Sequence, residues 1–443
     1  MADEPIVFSA GGDAGDGRLR RALGLPQVLA SGIGIIVGAG IYALLGPATA
    51  LAGAMVWLAF LLSAGLSLMT TLSYAELSSM FPQASSEFAY TRQVFPDGVA
   101  FIVSWLMATG MMVGAATISL GFAGYLAAFI DLDLRLGALA LLVVVTAIAA
   151  GGIERSGRIT IVLSLIQVGG LAAVIVIGAP HIGQVDLTRG SGPAGILAAA
   201  SLVFFAFIGF DDVATLAEET TNPTRTIPLA LLLSLGISAA LYVGVAVAAV
   251  SVLGVTGVAS SSRPIADVFA HVAGERGGQL LAAVALLATT NTALQTVTAS
   301  SRIVFGVAAS GNLPGGLARV WKRTGAPIPA ILVSALIAGA FVFGHDLRLV
   351  ASVTDAALFV VFVVINAVVI ALRLRQPDRE RPFRSPGTIG RVPVLPILAI
   401  GSTALLFSAL ERQAILLAGG LAAVGFLVYL ALASTNRRAA PRP

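Results

Sequence analysis

Residues 26–47 read PQVLASGIGIIVGAGIYALLGP and contain no charged side chain. A run of about 20 apolar residues is long enough to cross a lipid bilayer as one helix. Four glycines lie at its centre: Gly32, Gly34, Gly38 and Gly40. Each glycine costs a helix interior about 1 kcal/mol relative to alanine, so the run predicts a membrane-spanning helix that is interrupted near its middle. Close helix packing through small residues is the alternative, because Gly34 and Gly38 also form a GxxxG motif.

The rest of the chain repeats this apolar character. Of its 443 residues, 57% are hydrophobic and 11% are charged, whereas a soluble domain carries about 25% charged residues. The runs are continuous rather than alternating, which argues against a transmembrane β-barrel. The predicted fold class is therefore an all-α polytopic membrane protein. It has about twelve transmembrane helices, near residues 27–45, 54–75, 99–129, 136–151, 158–179, 194–217, 227–253, 278–308, 328–344, 349–372, 393–410 and 414–433.

Basic residues set the predicted orientation of these spans. About 20 of the 26 Lys and Arg residues fall on the same side as the N-terminus, and cytoplasmic segments of membrane proteins are enriched in these residues. Residues 1–25 and 435–443 are therefore predicted to be cytoplasmic tails of a multi-pass protein in the inner (plasma) membrane. Because topology explains the basic clusters, no nucleic-acid partner is expected.

Span six, the sixth of these runs, carries charge at membrane depth. Residues 202–223 read LVFFAFIGFDDVATLAEETTNP and place Asp211 and Asp212 directly after an aromatic run. Charged side chains at such depth usually face a cavity or mark a functional site. Alternatively, the helix ends at Phe210 and the acids begin another helix, whose dipole favours them. Because VFFAFIGF is too short to cross a bilayer by itself, span six is also predicted to be interrupted, close to Gly209.

The two interrupted spans are five helices apart, which indicates inverted repeats. We assign the repeats to residues 26–179 and 192–375, followed by two more helices within residues 392–434. Interrupted helices at matching places in two repeats predict a solute site at the midplane of a secondary transporter. Amides at the start of a half-helix suit a carboxylate. Unwound carbonyls can face an ammonium group, so the combination fits a zwitterionic amino acid.

Four strings give the chain a specific resemblance. With GIGIIVGAGIY (32–42), PQASSEFAYTRQVF (82–95), FFAFIGFDDVATLAEETTNPTRTIP (204–228) and ASSRIVFGVAASGNLP (299–314), it resembles the amino acid, polyamine and organocation transporter superfamily. The cationic-amino-acid-transporter-like branch is the most similar. This resemblance implies a LeuT-like fold of five plus five helices and transport by alternating access.

The resemblance also implies which residues form the site. In the family, amides at the positions of Gly38, Ala39 and Gly40 bind the substrate carboxylate. Carbonyls at the positions of Ile36, Phe205 and Ile208 hold the ammonium group, and an aromatic ring at Phe205 closes over the substrate. Apolar packing is the alternative for the methionines of this region, and a hydrogen bond between helices for Asn291. The predicted gate and side-chain pocket comprise Phe205, Phe207, Gly209, Met107, Met111 and Asn291.

Proton coupling is a further expectation with an open alternative. Gln167 stands where many proton-coupled relatives carry a lysine, and glutamine cannot titrate. An acid at the position of Asp211 is implicated in gating or proton sensing in some relatives. Exchange without coupling is the alternative, and Gln167 is otherwise a hydrogen-bonding residue between helices. The candidate coupling residues are Asp211, Asp212, Gln167 and Glu76.

The predicted function is secondary active transport of a small amino acid, with cationic amino acids, polyamines or other amines as alternative solutes. An intramembrane enzyme is the rival from another class, but the chain contains neither HExxH nor GxSxG, which mark metalloproteases and serine hydrolases. No cofactor or metal is expected. The expected partners are a small solute, the lipid bilayer and protons, and the protein is expected to be a monomer or homodimer.

Overall fold

The computed structural model describes residues 23–82, 87–152, 157–321 and 323–439. Residues 1–22 and 440–443 lie outside this part of the chain, and they include most of the predicted N-terminal tail and the end of the C-terminal one. Span one consists of two helices, α1 (Leu25–Ile36) and α2 (Ala39–Ala52). Val37 and Gly38 separate the two helices, so the predicted interruption of span one is present.

The remaining helices of the first predicted repeat follow the sequence analysis closely. Those that the structure describes are α3 (Val56–Met80), α4 (Glu87–Arg92), α5 (Asp97–Leu126), α6 (Leu134–Ala150) and α7 (Gly157–Gly178). Four of them lie where spans two to five are predicted, with ends that differ by a few residues. The sequence analysis did not predict the short α4, which lies in the connection between spans two and three.

Span six is interrupted as well. It runs through α8 (Gly192–Val203), a 3₁₀ turn (Phe204–Phe207) and α9 (Phe210–Thr215). Another 3₁₀ turn (Leu216–Glu219) leads on from α9. The helices that complete this repeat are α10 (Pro223–Ser260), α11 (Pro264–Ala309), α12 (Ile328–Gly344) and α13 (Leu347–Arg375). A two-stranded antiparallel hairpin of β1 (Thr388–Ile389) and β2 (Val392–Pro393) precedes the last helices, α14 (Val394–Ser408) and α15 (Arg412–Ala439).

Apolar helices of spanning length dominate the described residues. Nine segments of at least 18 residues there are apolar enough to cross a membrane, and span one counts among them as Leu25–Ala52. Three shorter apolar helices, α6, α12 and α14, occupy the positions of predicted spans four, nine and eleven. The all-α polytopic membrane fold is therefore confirmed, while the count of twelve spans stays a prediction.

The connection between spans seven and eight, predicted at residues 254–277, contains two further helical segments. Helix α10 is kinked at Gly254 and ends at Ser260, and α11 begins at Pro264 and is kinked at Gly274. Both glycines adopt positive φ, 70° and 78°, so helical geometry is interrupted there, close to the predicted end of span seven and the predicted start of span eight. The added segments persist because Val258 and Ile265 are fully buried.

Polar contacts join α3 to α13, although they are far apart in sequence. Ser73 Oγ donates a hydrogen bond to Asn366 Oδ1 at 2.6 Å, and Asn366 Nδ2 donates to Thr70 Oγ1 at 3.1 Å. Arg373 forms a buried ion pair with Glu76, with Nε donating to Glu76 Oε1 at 2.9 Å. These contacts fix the second half of α13 against α3.

Candidate functional site at the two helix breaks

The break in span one provides the start of α2. Gly38 precedes α2, and its N–H donates to the Ile36 carbonyl at 2.7 Å. Ala39 and Gly40 occupy the first turn of α2, where helical geometry leaves N–H groups without an intrahelical acceptor. In this conformation, the amides of Ala39 and Gly40 are therefore better placed than that of Gly38 to receive an anion.

The break in span six depends on Gly209. This residue has a φ of +110°, a backbone region that residues with a side chain rarely adopt. A Cβ atom there would also lie 2.6 Å from Ile35 Cγ2 of span one. The Gly209 N–H donates to Asp211 Oδ1 at 3.1 Å, so the acid that follows the break also holds its backbone.

The two breaks cross in direct contact. A Cβ atom on Gly40 would collide with the Ala206 backbone, so this glycine permits the close approach of the spans. Tyr242 of α10 lies beside the crossing, with its Oη 2.5 Å from the Ile36 carbonyl oxygen and 3.1 Å from that of Ala206. A hydroxyl has one proton and donates to one of these carbonyls at a time. Tyr242 was not among the predicted residues, because nothing in its apolar surroundings indicates which helix it faces.

A cavity of about 50 Å³ lies between the breaks. It is lined by the end of α1, the start of α2, the span-six turn, α9, α5, α11 and α13. The predicted residues that line it are Ile36, Gly38, Ala39, Gly40, Met111, Phe205, Ile208, Gly209 and Asp212. The lining residues outside the predicted set are Ile35, Gly114, Ile118, Ala206, Thr292, Gln295, Thr296, Thr354 and Leu358.

Three predicted pocket residues lie outside this lining. Phe207 packs against Tyr242, with ring centroids 5.2 Å apart. Met107 is buried in the hydrophobic core one turn from Met111 on α5. Asn291 is buried on α11, where its neighbour Thr292 meets the cavity instead. For Phe207 and Met107, contacts with neighbouring helices account for the placement, and sequence spacing does not reveal such contacts.

The acidic coupling candidates of span six are joined by a third acid. Asp212 lines the cavity and Asp211 is buried behind it. Glu87 of α4 interacts electrostatically with both, and its Oε1 accepts a hydrogen bond from Tyr74 Oη at 3.1 Å. Burial and the Asp211 charge raise the pKa of Glu87 to about 7. Glu87 was not among the predicted residues, because its closeness to span six follows from the placement of α4.

The other two coupling candidates lie away from the cavity. Gln167 on α7 is 1% exposed, and neither of its amide atoms has a hydrogen-bond partner in the described residues. Glu76 on α3 is held by Arg373 and also accepts a hydrogen bond from Ser385 N–H at 3.0 Å. A carboxylate bound in this way acts as an anchor between α3 and α13 in this conformation.

Comparison with known proteins places the chain in a family. The amino acid permease family matches residues 23–434. The branched-chain amino acid permease BcaP of Bacillus subtilis (strain 168) is 30% identical over 416 residues, 87% of each protein. An uncharacterized transporter of Mycobacterium tuberculosis is 32% identical over 415 residues, 92% of this chain and 91% of the relative. The vacuolar cationic amino acid transporter 2 of Arabidopsis thaliana is 29% identical over 407 residues, 86% of this chain and 64% of the relative.

The family match and these relatives agree with the all-α membrane fold and with the resemblance carried by the four strings. They cover both interrupted spans and the cavity between them. The chain belongs to the amino acid permease family, within the amino acid, polyamine and organocation transporter superfamily.

Proposed function

We propose that this permease moves a small neutral amino acid across the plasma membrane by secondary active transport with alternating access. The observation that carries the proposal is the cavity enclosed by both helix breaks, with the start of α2 on one side. The amides of Ala39 and Gly40 and the positive end of the α2 dipole would bind the carboxylate. Carbonyl groups of the span-six turn would accept hydrogen bonds from the ammonium group.

The backbone carbonyls of Ile36 and Phe205 differ in whether they have a lone pair free to accept a hydrogen bond from an ammonium group. The Ile36 carbonyl receives a hydrogen bond from Gly38 N–H, and its second lone pair is occupied whenever Tyr242 Oη donates to it rather than to Ala206. The Phe205 carbonyl receives one, from Ile208 N–H at 3.3 Å, and keeps a lone pair for a ligand. Substrate binding at Ile36 would then require Tyr242 Oη to donate to the Ala206 carbonyl instead, whereas Phe205 can accept directly.

Cavity size supports a small solute. A volume of about 50 Å³ has room for roughly three to five water molecules at about 10–15 Å³ each, which suits an amino acid with a short side chain. Apolar residues form the wall on α5 and α13, including Met111, Ile118 and Leu358. A cationic amino acid is the second candidate, because the Asp212 carboxylate also lines the cavity.

Exchange measurements on purified protein test the proposal. Proteoliposomes loaded with unlabelled alanine are expected to take up labelled alanine by counterflow, and glycine or serine outside should compete. Arginine competes only if the second candidate is correct, and Asp212→Asn would then weaken arginine competition while leaving that of alanine. Correctly folded protein that exchanges none of the amino acids would contradict the proposed function.

A further inference from the structure

Asp355 is a carboxylate that none of the assignments above uses. It lies within α13, in the apolar run VASVTDAALFVVFVV, and its side chain is 0% exposed. Neither of its carboxyl oxygens has a hydrogen-bond partner in the described residues. Ionisable groups inside membrane spans are costly and are usually paired or functional, so an unpaired one requires an explanation.

Three other polar residues on the same face of α13 have partners. Arg348, Asp355, Asn366 and Arg373 share this face, because their separations are close to whole helical turns at 3.6 residues per turn. Arg348 pairs with Glu411 at 2.6 Å. Asn366 and Arg373 bond to α3 as described above. Asp355 is thus the exception on a helix face where these other polar side chains have hydrogen-bond or ion-pair partners, so loose packing of the helix does not account for its lack of one.

Its position connects the cavity to the break in span six. The preceding residue, Thr354, lines the cavity. One turn further along α13, Phe359 packs edge-to-face on Phe204 at 4.8 Å, and Phe204 begins the 3₁₀ turn of the break. A movement of this turn during transport would therefore change the packing beside Asp355.

None of the ion pairs among the described residues includes Asp355. Among the elements packed against α13, α8, the span-six turn, β2 and α14 contain no ionisable residue. On α3, Tyr74 and Glu76 are bonded to Glu87 and Arg373. The other described ionisable side chains on these elements and on α13 itself are Tyr42, Glu87, Tyr90, Arg92, Asp97, Tyr125, Arg348, Arg373, Arg375, Arg412 and Tyr429.

Burial without a partner determines which form Asp355 takes here. An ionised carboxylate without a partner costs several kcal/mol in the interior of a protein, even after relaxation. A protonated carboxyl group costs far less, because it carries no net charge. In this conformation Asp355 therefore carries a proton.

We propose, on the basis of the proposed function, that Asp355 is the proton-coupling residue of this permease. When the transporter opens to one side, a carboxylate oxygen of Asp355 takes a proton from a hydronium ion, which becomes water. The neutral acid passes through the closed conformation, and its O–H bond breaks when the opposite side opens, where a water molecule takes the proton and becomes hydronium. One proton then crosses with each amino acid, and Asp355 returns to its ionised form.

Asp355→Asn tests this role because asparagine matches the shape of the protonated acid but cannot release a proton. In proteoliposomes, wild-type protein should accumulate labelled alanine about tenfold per unit of imposed pH difference. Asp355→Asn should lose this accumulation and keep counterflow exchange, which needs no net proton movement. Asp346→Asn is the matched control on the same helix, because Asp346 caps α13 and asparagine also caps helices well. It should behave as wild type.

Infrared spectroscopy supplies a reading that does not depend on transport. Closed wild-type protein at pH 8 should show the carbonyl band of a protonated carboxylic acid, and Asp355→Asn should reduce it. Absence of that band, or unchanged accumulation by Asp355→Asn, overturns the role of Asp355. If wild-type protein exchanges alanine but does not accumulate it in response to the pH gradient, the role of Asp355 is overturned and the proposed function stands. If wild-type protein exchanges no solute, both the role of Asp355 and the proposed function are overturned.

Discussion

At the scale of single residues, Tyr242 has a testable structural role. Its hydroxyl lies within hydrogen-bonding distance of the carbonyls of Ile36 and Ala206, one from each break. Tyr242→Phe leaves these buried carbonyls without that donor, and a lost partner of this kind costs about 1–3 kcal/mol. The variant should therefore unfold at a lower temperature in detergent, as followed by tryptophan fluorescence.

A second tyrosine provides the control. Tyr90 is also buried, but its hydroxyl has no partner in the described residues. Tyr90→Phe should therefore change the unfolding temperature little. Equal losses in both variants would show that the contact between Tyr242 and the breaks contributes nothing specific.

The sequence singled out several of the residues that line the cavity, for a clear physical reason. Repeated glycines and charges at membrane depth are costly, so Gly38, Gly40, Gly209 and Asp212 are visible as anomalies without any structure. Tyr242 is an ordinary buried residue, and its role depends on which helix lies opposite. Asp355 was not among the predicted residues, although it is a lone acid in an apolar run, and its unpaired state emerges only from the packing around it.

At the scale of helices, the crossing of the two breaks makes a prediction about Gly40. A Cβ atom there would meet the Ala206 backbone, which cannot move without shifting the span-six turn. Gly40→Ala should therefore destabilise the protein by about 1–3 kcal/mol, as overpacking does, and should lower exchange activity. Thermal unfolding and counterflow measure the two effects.

Gly65→Ala is the matched control in α3. Nothing lies within 4 Å of a Cβ atom at this exposed position, and alanine favours a helix over glycine by about 0.5–1 kcal/mol. Gly65→Ala should thus be neutral or slightly stabilising. If Gly40→Ala behaved in the same way, the two spans would not be in the close contact described here.

Helix positions were predictable because each span needs about 20 apolar residues to cross the bilayer, and apolar runs of this length can be recognised in the sequence. The short helical segments beyond the kinks at Gly254 and Gly274 were not, since they lie in the connection between two spans and are too short to cross a membrane. The short α4 and the β1–β2 hairpin also escaped prediction. Both fall in polar connections, where no membrane constrains the pattern.

At the scale of the whole molecule, the ion pair of Glu76 and Arg373 ties distant parts of the chain together. Breaking a buried pair by removing one partner costs about 3–5 kcal/mol, because the other charge stays buried. Glu76→Gln should cause a loss of this size, whereas Arg373→Gln should cost less, because Arg381 Nε stays 3.4 Å from Glu76 Oε1. The double variant should lose less than the sum of the two. Unfolding of the four proteins in lipid nanodiscs gives the coupling.

An exposed pair serves as the comparison. Arg92 and Asp97 are 2.8 Å apart with side chains 53% and 68% exposed, and such pairs contribute about 0–1 kcal/mol. Asp97→Asn should therefore have a small effect. Strict additivity of the two buried substitutions would contradict a direct interaction between Glu76 and Arg373.

Global architecture was partly predictable. Composition and spacing fixed the all-α membrane fold, and the family match supports amino acid transport. The inverted repeats, the cytoplasmic placement of both termini and the monomeric or homodimeric state stay predictions. Orientation depends on a membrane, and association depends on other copies of the chain, so neither is determined by the packing of one chain.

The pairing of Glu76 with Arg373 also affects how the protein is made. The two residues are 297 positions apart, so the ribosome delivers Glu76 to the membrane long before its partner is synthesised. Until then, the nascent second span carries an acid with no counter-charge. Chains that stop before residue 373 therefore keep this group without its partner, and we expect them to be less stable in the membrane than the complete chain.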